Sequence, residues 1–198
     1  MLNVIINNIL LSYLSVIITN LIGFFMVPLM INYLGMEIYG IWMLGTSIIG
    51  YLSLSNFGIP TAVTTLMAKT SNEHRKEVIF VNSFLLLMLI SIFLIIVIAA
   101  LNFFSSKLVR VLGNIKNEYI NIGNMIIMIM LIGFLVRSPF QLAMSAFSSY
   151  QKIYILKIYE IFMSIANIVV LLTAQCLQLR IISYVFFNVL LTNMLYVV

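Results

Sequence analysis

The sequence predicts an all-α integral membrane protein of six transmembrane helices. Three observations predict it. Of 198 residues, 64% are hydrophobic and only 8% charged, against roughly 25% charged in a soluble domain. The charges are also spaced so that residues 1–36, 38–68, 78–106, 119–136, 161–179 and 181–198 carry none. A spanning helix needs about 20 mostly apolar residues, and each of these runs reaches that length or nearly does. Third, runs such as 84–90 (Phe-Leu-Leu-Leu-Met-Leu-Ile) are continuously apolar. A barrel strand would alternate, whereas a helix satisfies its own backbone inside hydrocarbon.

The elements follow in order. Helix 1 is expected over 8–32 and contains Pro28. It lacks the basic flank and small-residue cleavage site of a signal peptide, and is too long for one. After a turn at 33–37, helix 2 is expected over 38–68. Its 31 residues would extend about 46 Å, against a hydrocarbon core of about 30 Å. It must tilt, protrude or break, and Gly58 and Pro60 mark the place for a break. A polar loop at 69–77 precedes helix 3 over 78–101. In 104–119 the apolar residues recur at helical spacing between Lys107, Arg110, Asn114 and Asn117, which suits a short helix lying in the interface. Helix 4 is expected over 120–145 with Arg137 and Pro139 inside it. A second basic loop holds Lys152 and Lys157, helix 5 covers 159–177, and helix 6 covers 181–198. With six spans, one side collects the N-terminus, Lys69, Arg75, Lys76, Lys152 and Lys157. The other collects Lys107, Arg110, Lys116 and Arg180. The small basic excess favours a cytoplasmic N-terminus.

The chain has no Asp, five Glu and one His, His74, in the first polar loop. Paired carboxylates for acid–base work are not visible, nor are a metal cage, a phosphate loop or a nucleophile set. The expectation is a protein that is not an enzyme, with no cofactor and no metal. The charge of +5 is small and scattered, so no nucleic-acid partner is expected. The partner it implies is membrane lipid. The single cysteine, Cys176, permits no internal disulfide and reads as a small apolar packing residue.

Arg137 is the most informative residue. An arginine near the bilayer centre costs about 2.5–3.5 kcal/mol on insertion scales, and such residues face bundle interiors or water-filled cavities. One reading is a cation that meets an anionic group, since guanidinium matches phosphate geometry. The other is that Arg137 snorkels, or pairs with Glu160 or a carbonyl freed by Pro139. Pro28, Gly58, Pro60 and Pro139 are candidate breaks or hinges: static kinks on one reading, bending points of alternating access on the other. Intramembrane polar residues, among them Asn56, Thr61, Thr64, Thr65 and Asn167, read mainly as interhelical glue.

Residues 28–42, with Pro28-Leu29 and then Tyr33-Leu34-Gly35-Met36-Glu37-Ile38-Tyr39-Gly40-Ile41-Trp42, resemble the opening of the bacterial polysaccharide flippases. So does 50–59, Gly-Tyr-Leu-Ser-Leu-Ser-Asn-Phe-Gly-Ile. These are the O-antigen and capsule exporters (Wzx type) of the multidrug/oligosaccharidyl-lipid/polysaccharide superfamily. The segment 143–152, ending Tyr150-Gln151-Lys152, is similar to the family's loop after helix 4. Where the family commonly has Asp, this chain has Asn56, which removes an ionisable group. The resemblance implies two six-helix lobes around a central cavity, an inward N-terminus, and a lipid-linked oligosaccharide (O-antigen or capsule repeat unit) as substrate, moved across the bacterial inner membrane. Arg137 would then be a candidate for meeting the diphosphate. The chain matches one lobe and reads as the N-terminal half of such a transporter, with a second six-helix lobe as partner. The near alternative is a drug/cation antiporter of the same superfamily, which would be expected to carry a buried acidic residue. A non-transporting membrane scaffold is the alternative from another class.

Overall fold

The computed structural model describes residues 2–56, 58–104 and 117–197, and the side chains of 8–54, 56, 58–96 and 118–194. Among them there is no strand. Eight helices run in order: α1 (Leu2–Leu34), α2 (Met36–Ser53), α3 (Ile59–Lys69), α4 (Glu73–Phe104), α5 (Ile120–Arg137), α6 (Gln141–Ser149), α7 (Ile153–Cys176) and α8 (Ile181–Val197). Short 3-10 turns occupy Leu54–Asn56, Asn117–Tyr119 and Ser138–Phe140. The interfacial helix expected over 104–119 falls, for 105–116, outside the described residues.

Four stretches are long and apolar enough to cross a membrane: Asn8–Leu34, Glu73–Ile96, Ile120–Ser149 and Ile153–Cys176. Their outward faces carry large apolar side chains such as Phe24 (75% exposed), Leu89 (65%) and Phe93 (64%). Continuous apolar patches of this kind are rare on soluble monomers. These are features of a membrane protein.

The expected break in the second helix is present and takes a definite form. α2 ends, a 3-10 turn follows, and Gly58 adopts φ 69, ψ 12, the left-handed conformation that lacks a penalty only for glycine. Pro60 then sits in the first turn of α3, where its missing N–H costs no helical hydrogen bond. A single glycine, Gly35 at φ 81, turns the chain from α1 into α2.

α1 spans Leu2–Leu34 rather than 8–32, and three further departures from the expectation have a visible cause. α4 begins at Glu73 rather than 78, because Asn72 Oδ1 accepts from the Arg75 N–H at 3.2 Å and caps it. Glu73 and Lys76, which read as loop, form an i,i+3 ion pair at 2.8 Å on the first turn. α7 begins at Ile153 rather than 159, and here the cap is remote. Asn8 of α1 accepts from the Tyr154 N–H at 3.1 Å and donates to the Gln151 carbonyl at 3.0 Å. The continuous helix expected over 120–145 is divided at Ser138–Phe140, with Pro139 in the turn, and resumes as α6 as far as Ser149. α1, by contrast, passes through Pro28 without interruption.

Contacts between distant segments sort the helix ends into two groups. Asn8 meets Gln151, and Tyr150 Oη donates to Glu73 Oε2 at 2.9 Å with Lys76 Nζ over its ring. The start of α1, the α3–α4 connection and the α6–α7 connection therefore lie at one end. At the opposite end Tyr33 Oη donates to the Leu179 carbonyl at 2.8 Å, joining the end of α1 to the α7–α8 turn. Tyr119 and Ile122, where α5 starts, pack into the same cluster as Tyr33 and Leu179. Along the chain the passages α1, α2–α3, α4, α5–α6, α7 and α8 thus alternate in direction.

Two cores hold them. The larger joins α1, α2, α5, α7 and α8 through Leu34, Ile41, Ile126, Leu171 and Tyr184. Tyr184 is fully buried between the rings of Tyr33 and Trp42 at 5.5 and 5.8 Å. The smaller joins α3, α4 and α6 through Val63, Met67, Leu87 and Leu142. α1 packs mainly on α7, α2 and α8 on α5, and α3 on α6.

Candidate functional site

Arg137 closes α5 as its eighteenth residue. At 1.5 Å per residue it lies about 26 Å from one end of the α5–α6 passage and about 18 Å from the other, well inside it. It borders a cavity of about 190 Å³ between α2, α5 and α8. Thr46, Asn188 and Thr192 give this cavity polar atoms, and Trp42 and Phe134 give it aromatic walls. No carboxylate lines it.

The walls are fixed by local chemistry. Gly133 lets α8 approach α5, because a Cβ there would overlap Val189 Cγ1. Asn188, 8% exposed, donates to Asn167 Oδ1 at 2.9 Å, and Asn167 in turn donates to the Met163 carbonyl. That amide pair ties α7 to α8 behind the cavity. The hydroxyls of Thr46 and Thr192 donate to backbone carbonyls one turn back and keep acceptor capacity toward the cavity. Glu160, one partner considered for Arg137, is engaged elsewhere: it takes Lys157 at 2.8 Å and the buried Ser15 hydroxyl at 3.0 Å.

Of the hinge candidates, Gly58 and Pro60 mark one break and Pro139 the other. The structure places these two breaks side by side, since Asn56 Nδ2 donates to Gln141 Oε1 at 3.2 Å. A third passage joins at the same level through the buried Ser91–Ser138 hydroxyl pair at 2.6 Å. Pro28 is not part of this group. Cys176, expected to pack, is exposed on the last turn of α7, and His74 is exposed beside Glu77 at 3.8 Å.

The second halves of the two broken passages, α3 and α6, enclose a groove of about 430 Å³. Thr61, Thr64 and Thr65 line it from α3, and Gln141, Ser145 and Ser148 from α6. The threonines read from sequence as interhelical glue, and Thr64 does bond across to the Ser145 carbonyl at 3.3 Å. The α6 residues Gln141, Ser145 and Ser148 join them in the lining. Their signal is a run of uncharged polar residues at helical spacing (141, 145, 148) one turn beyond Arg137. A larger cavity of about 520 Å³ lies at the opposite end, on the rim. Its walls are mostly apolar and its one cation, Arg180, is on the exposed turn, so it offers less chemistry than the Arg137 cavity. Among the described residues no group of three His, Cys, Asp or Glu could hold a metal.

No family model matches the chain, and no curated protein or solved structure is significantly similar to it.

Proposed function

We propose that the chain is the N-terminal lobe of a bacterial inner-membrane flippase for undecaprenyl-diphosphate-linked oligosaccharide, crossing the bilayer six times with its N-terminus in the cytoplasm. The observation that carries this reading is Arg137 at mid-depth in an apolar bundle, beside a cavity whose other polar groups are neutral. An arginine held there at a cost of a few kcal/mol is by default a functional group, and its planar fork suits the oxygens of a diphosphate. The absence of a carboxylate from that cavity disfavours a drug or cation antiporter.

The mechanism is alternating access. The diphosphate sits at Arg137 while the polyprenyl tail stays in lipid against the apolar outer face. The adjoining breaks at 54–58 and 138–140, coupled through Asn56 and Gln141, let α3 and α6 swing as a pair relative to α2 and α5. A second lobe would face this one across the passage.

The test is transfer of a fluorescent undecaprenyl-diphosphate oligosaccharide between leaflets of proteoliposomes, read by its exposure to an added glycosidase, together with equilibrium binding of the same lipid. Removing a charge-assisted contact of about 1.5–3 kcal/mol should weaken binding by Arg137→Gln about ten- to hundredfold. Unchanged binding and transfer in that variant would remove Arg137 from the site. A wild-type chain that neither binds nor moves the lipid, alone or with a second lobe, would overturn the transport reading.

A further inference from the structure

Two of the cavities lie at successive levels of the same bundle. The rim cavity is bordered on its inner side by Tyr33 and Ile122, and the Arg137 cavity by Trp42 and Met130. Ile122 and Met130 both belong to α5. At 1.5 Å per residue they are about 12 Å apart along it. Between these levels lies a layer made by Ile41 of α2, Ile126 of α5, and Tyr184 and Val185 of α8. Each is at most 1% exposed, and all four belong to the larger core. Tyr184 is the bulkiest of them. Its ring meets Tyr33, on the wall of the rim cavity, edge-on at 5.5 Å, and Trp42, on the wall of the Arg137 cavity, at 5.8 Å. One side chain thus touches a wall of each cavity.

The layer is apolar except for one atom. The Tyr184 hydroxyl is buried and has no hydrogen-bond partner among the described residues. Tyr33, the nearest hydroxyl-bearing ring, spends its own O–H on the Leu179 carbonyl. Buried tyrosine hydroxyls ordinarily find a partner, and a desolvated O–H without one destabilises the state that holds it. For packing alone, phenylalanine would fill the layer without that cost. The hydroxyl does find partners if the ring swings into the rim cavity. That space of about 520 Å³ is bordered by the side chains of Gln175, Gln178 and Arg180 and is open at the rim. Ile41, Ile126 and Val185 are β-branched and stiff at χ1, which leaves Tyr184 as the member of the layer able to move.

We propose that Tyr184 is a gate between the Arg137 cavity and the rim. In the closed arrangement its ring seals the layer between Tyr33 and Trp42. In the open one it lies in the rim cavity with its hydroxyl paired, and the two cavities join along α5 and α8. The unsatisfied hydroxyl keeps the two arrangements close in energy, so that a ligand or a movement of α8 can shift the balance. The gate follows from the layer itself; its use as the outward-opening step of alternating access rests on the flippase reading.

The experiment uses the full chain in vesicles of one orientation, with Cys176→Ser and Thr192→Cys, so that the only thiol lines the Arg137 cavity. A small charged methanethiosulfonate, which does not cross lipid, is added on the side of the α7–α8 turn. Tyr184→Ala removes the seal and should speed labelling about tenfold or more. Tyr184→Phe keeps the ring and removes the orphan hydroxyl, so the closed arrangement gains and labelling should slow about five- to tenfold. The unfolding midpoint of Tyr184→Phe should stay level or rise. Equal labelling of the native and Tyr184→Phe chains would overturn the gate, as would labelling of Tyr184→Ala no faster than native. A thiol that labels in none of the three chains would do so too. The Tyr184→Phe comparison decides alone where Tyr184→Ala does not fold. Gated labelling without lipid transfer by the native chain, alone or with a second lobe, would overturn the flippase reading and leave the gate standing. Labelling indifferent to Tyr184 beside intact transfer would do the reverse.

Discussion

Asn8 and Tyr154, 146 residues apart in sequence, meet at a helix end: the Asn8 side-chain oxygen accepts the Tyr154 backbone N–H at 3.1 Å. Its amide simultaneously donates to the Gln151 carbonyl at 3.0 Å, in a turn where Gln151 holds φ 59. One α1 side chain thus caps α7 and holds the tight connection that precedes it. Asn8→Ala removes both bonds. By analogy with local N-caps it should cost about 1 kcal/mol, seen as a lower unfolding midpoint in detergent. Asn8→Asp keeps the acceptor, gains charge near the positive end of the helix, and should cost less.

Gly133 should tolerate substitution worse than Gly45. A Cβ there would overlap Val189 Cγ1, which belongs to the branched, stiff side chain of a helix. At Gly45 the nearest atom is the flexible end of Met130, at 2.9 Å. Gly133→Ala should therefore destabilise by about 1–3 kcal/mol through overpacking, and Gly45→Ala by less. Val189→Ala in the same chain should recover part of the Gly133→Ala loss. A thermal-unfolding double-mutant cycle measures that coupling, and additive losses would show that the two residues do not press on one another.

Pro28, Pro60 and Gly58 should respond in three different ways. Pro28 lies inside α1, where it leaves the Phe24 carbonyl without its i+4 donor. Pro28→Ala restores that bond and should stabilise the isolated chain. Pro60 lies in the first turn of α3, so Pro60→Ala should change stability by only a few tenths of a kcal/mol, chiefly through the unfolded state. Gly58→Ala, at φ 69, should cost about 1–2 kcal/mol because alanine gains a steric penalty in the left-handed region. Equal effects at the two prolines, measured by unfolding midpoints, would contradict this division.

These positions also show how far the sequence could be read. The Gly58–Pro60 break was legible because an uncharged run of 31 residues was too long for the bilayer and held a glycine and a proline together. The start of α4 was not, because Glu73, His74, Arg75 and Lys76 look like loop by charge, while the cap that makes them helical is a single Asn72 contact. The start of α7 depends on Asn8, and a pairing across 143 residues or more leaves no local signature. Arg137 stood out because a buried guanidinium is costly anywhere in a membrane helix. The α3/α6 groove did not stand out, because threonines and serines are ordinary in such helices and line one groove only when two broken passages lay them face to face.

The last prediction concerns direction of passage. The Tyr150–Glu73 hydrogen bond and the Asn8–Gln151 contact hold the start of α1 and the connections after α3 and α6 at one end. The Tyr33–Leu179 bond holds the α7–α8 turn at the other. Six alternating passages in a bilayer would put Ser71 and Cys176 on opposite faces, and both are exposed. A membrane-impermeant maleimide should then label native Cys176 from the outer face only, in vesicles of known orientation. Ser71→Cys in a Cys176→Ser chain should label from the cytoplasmic face only. Labelling of both from one face would mean that one of the three passages between them does not cross, and the broken α5–α6 unit is the candidate for a re-entrant segment. The backbone of that unit, which departs from the α-helix at Ser138–Phe140, would then face protein or water instead of lipid.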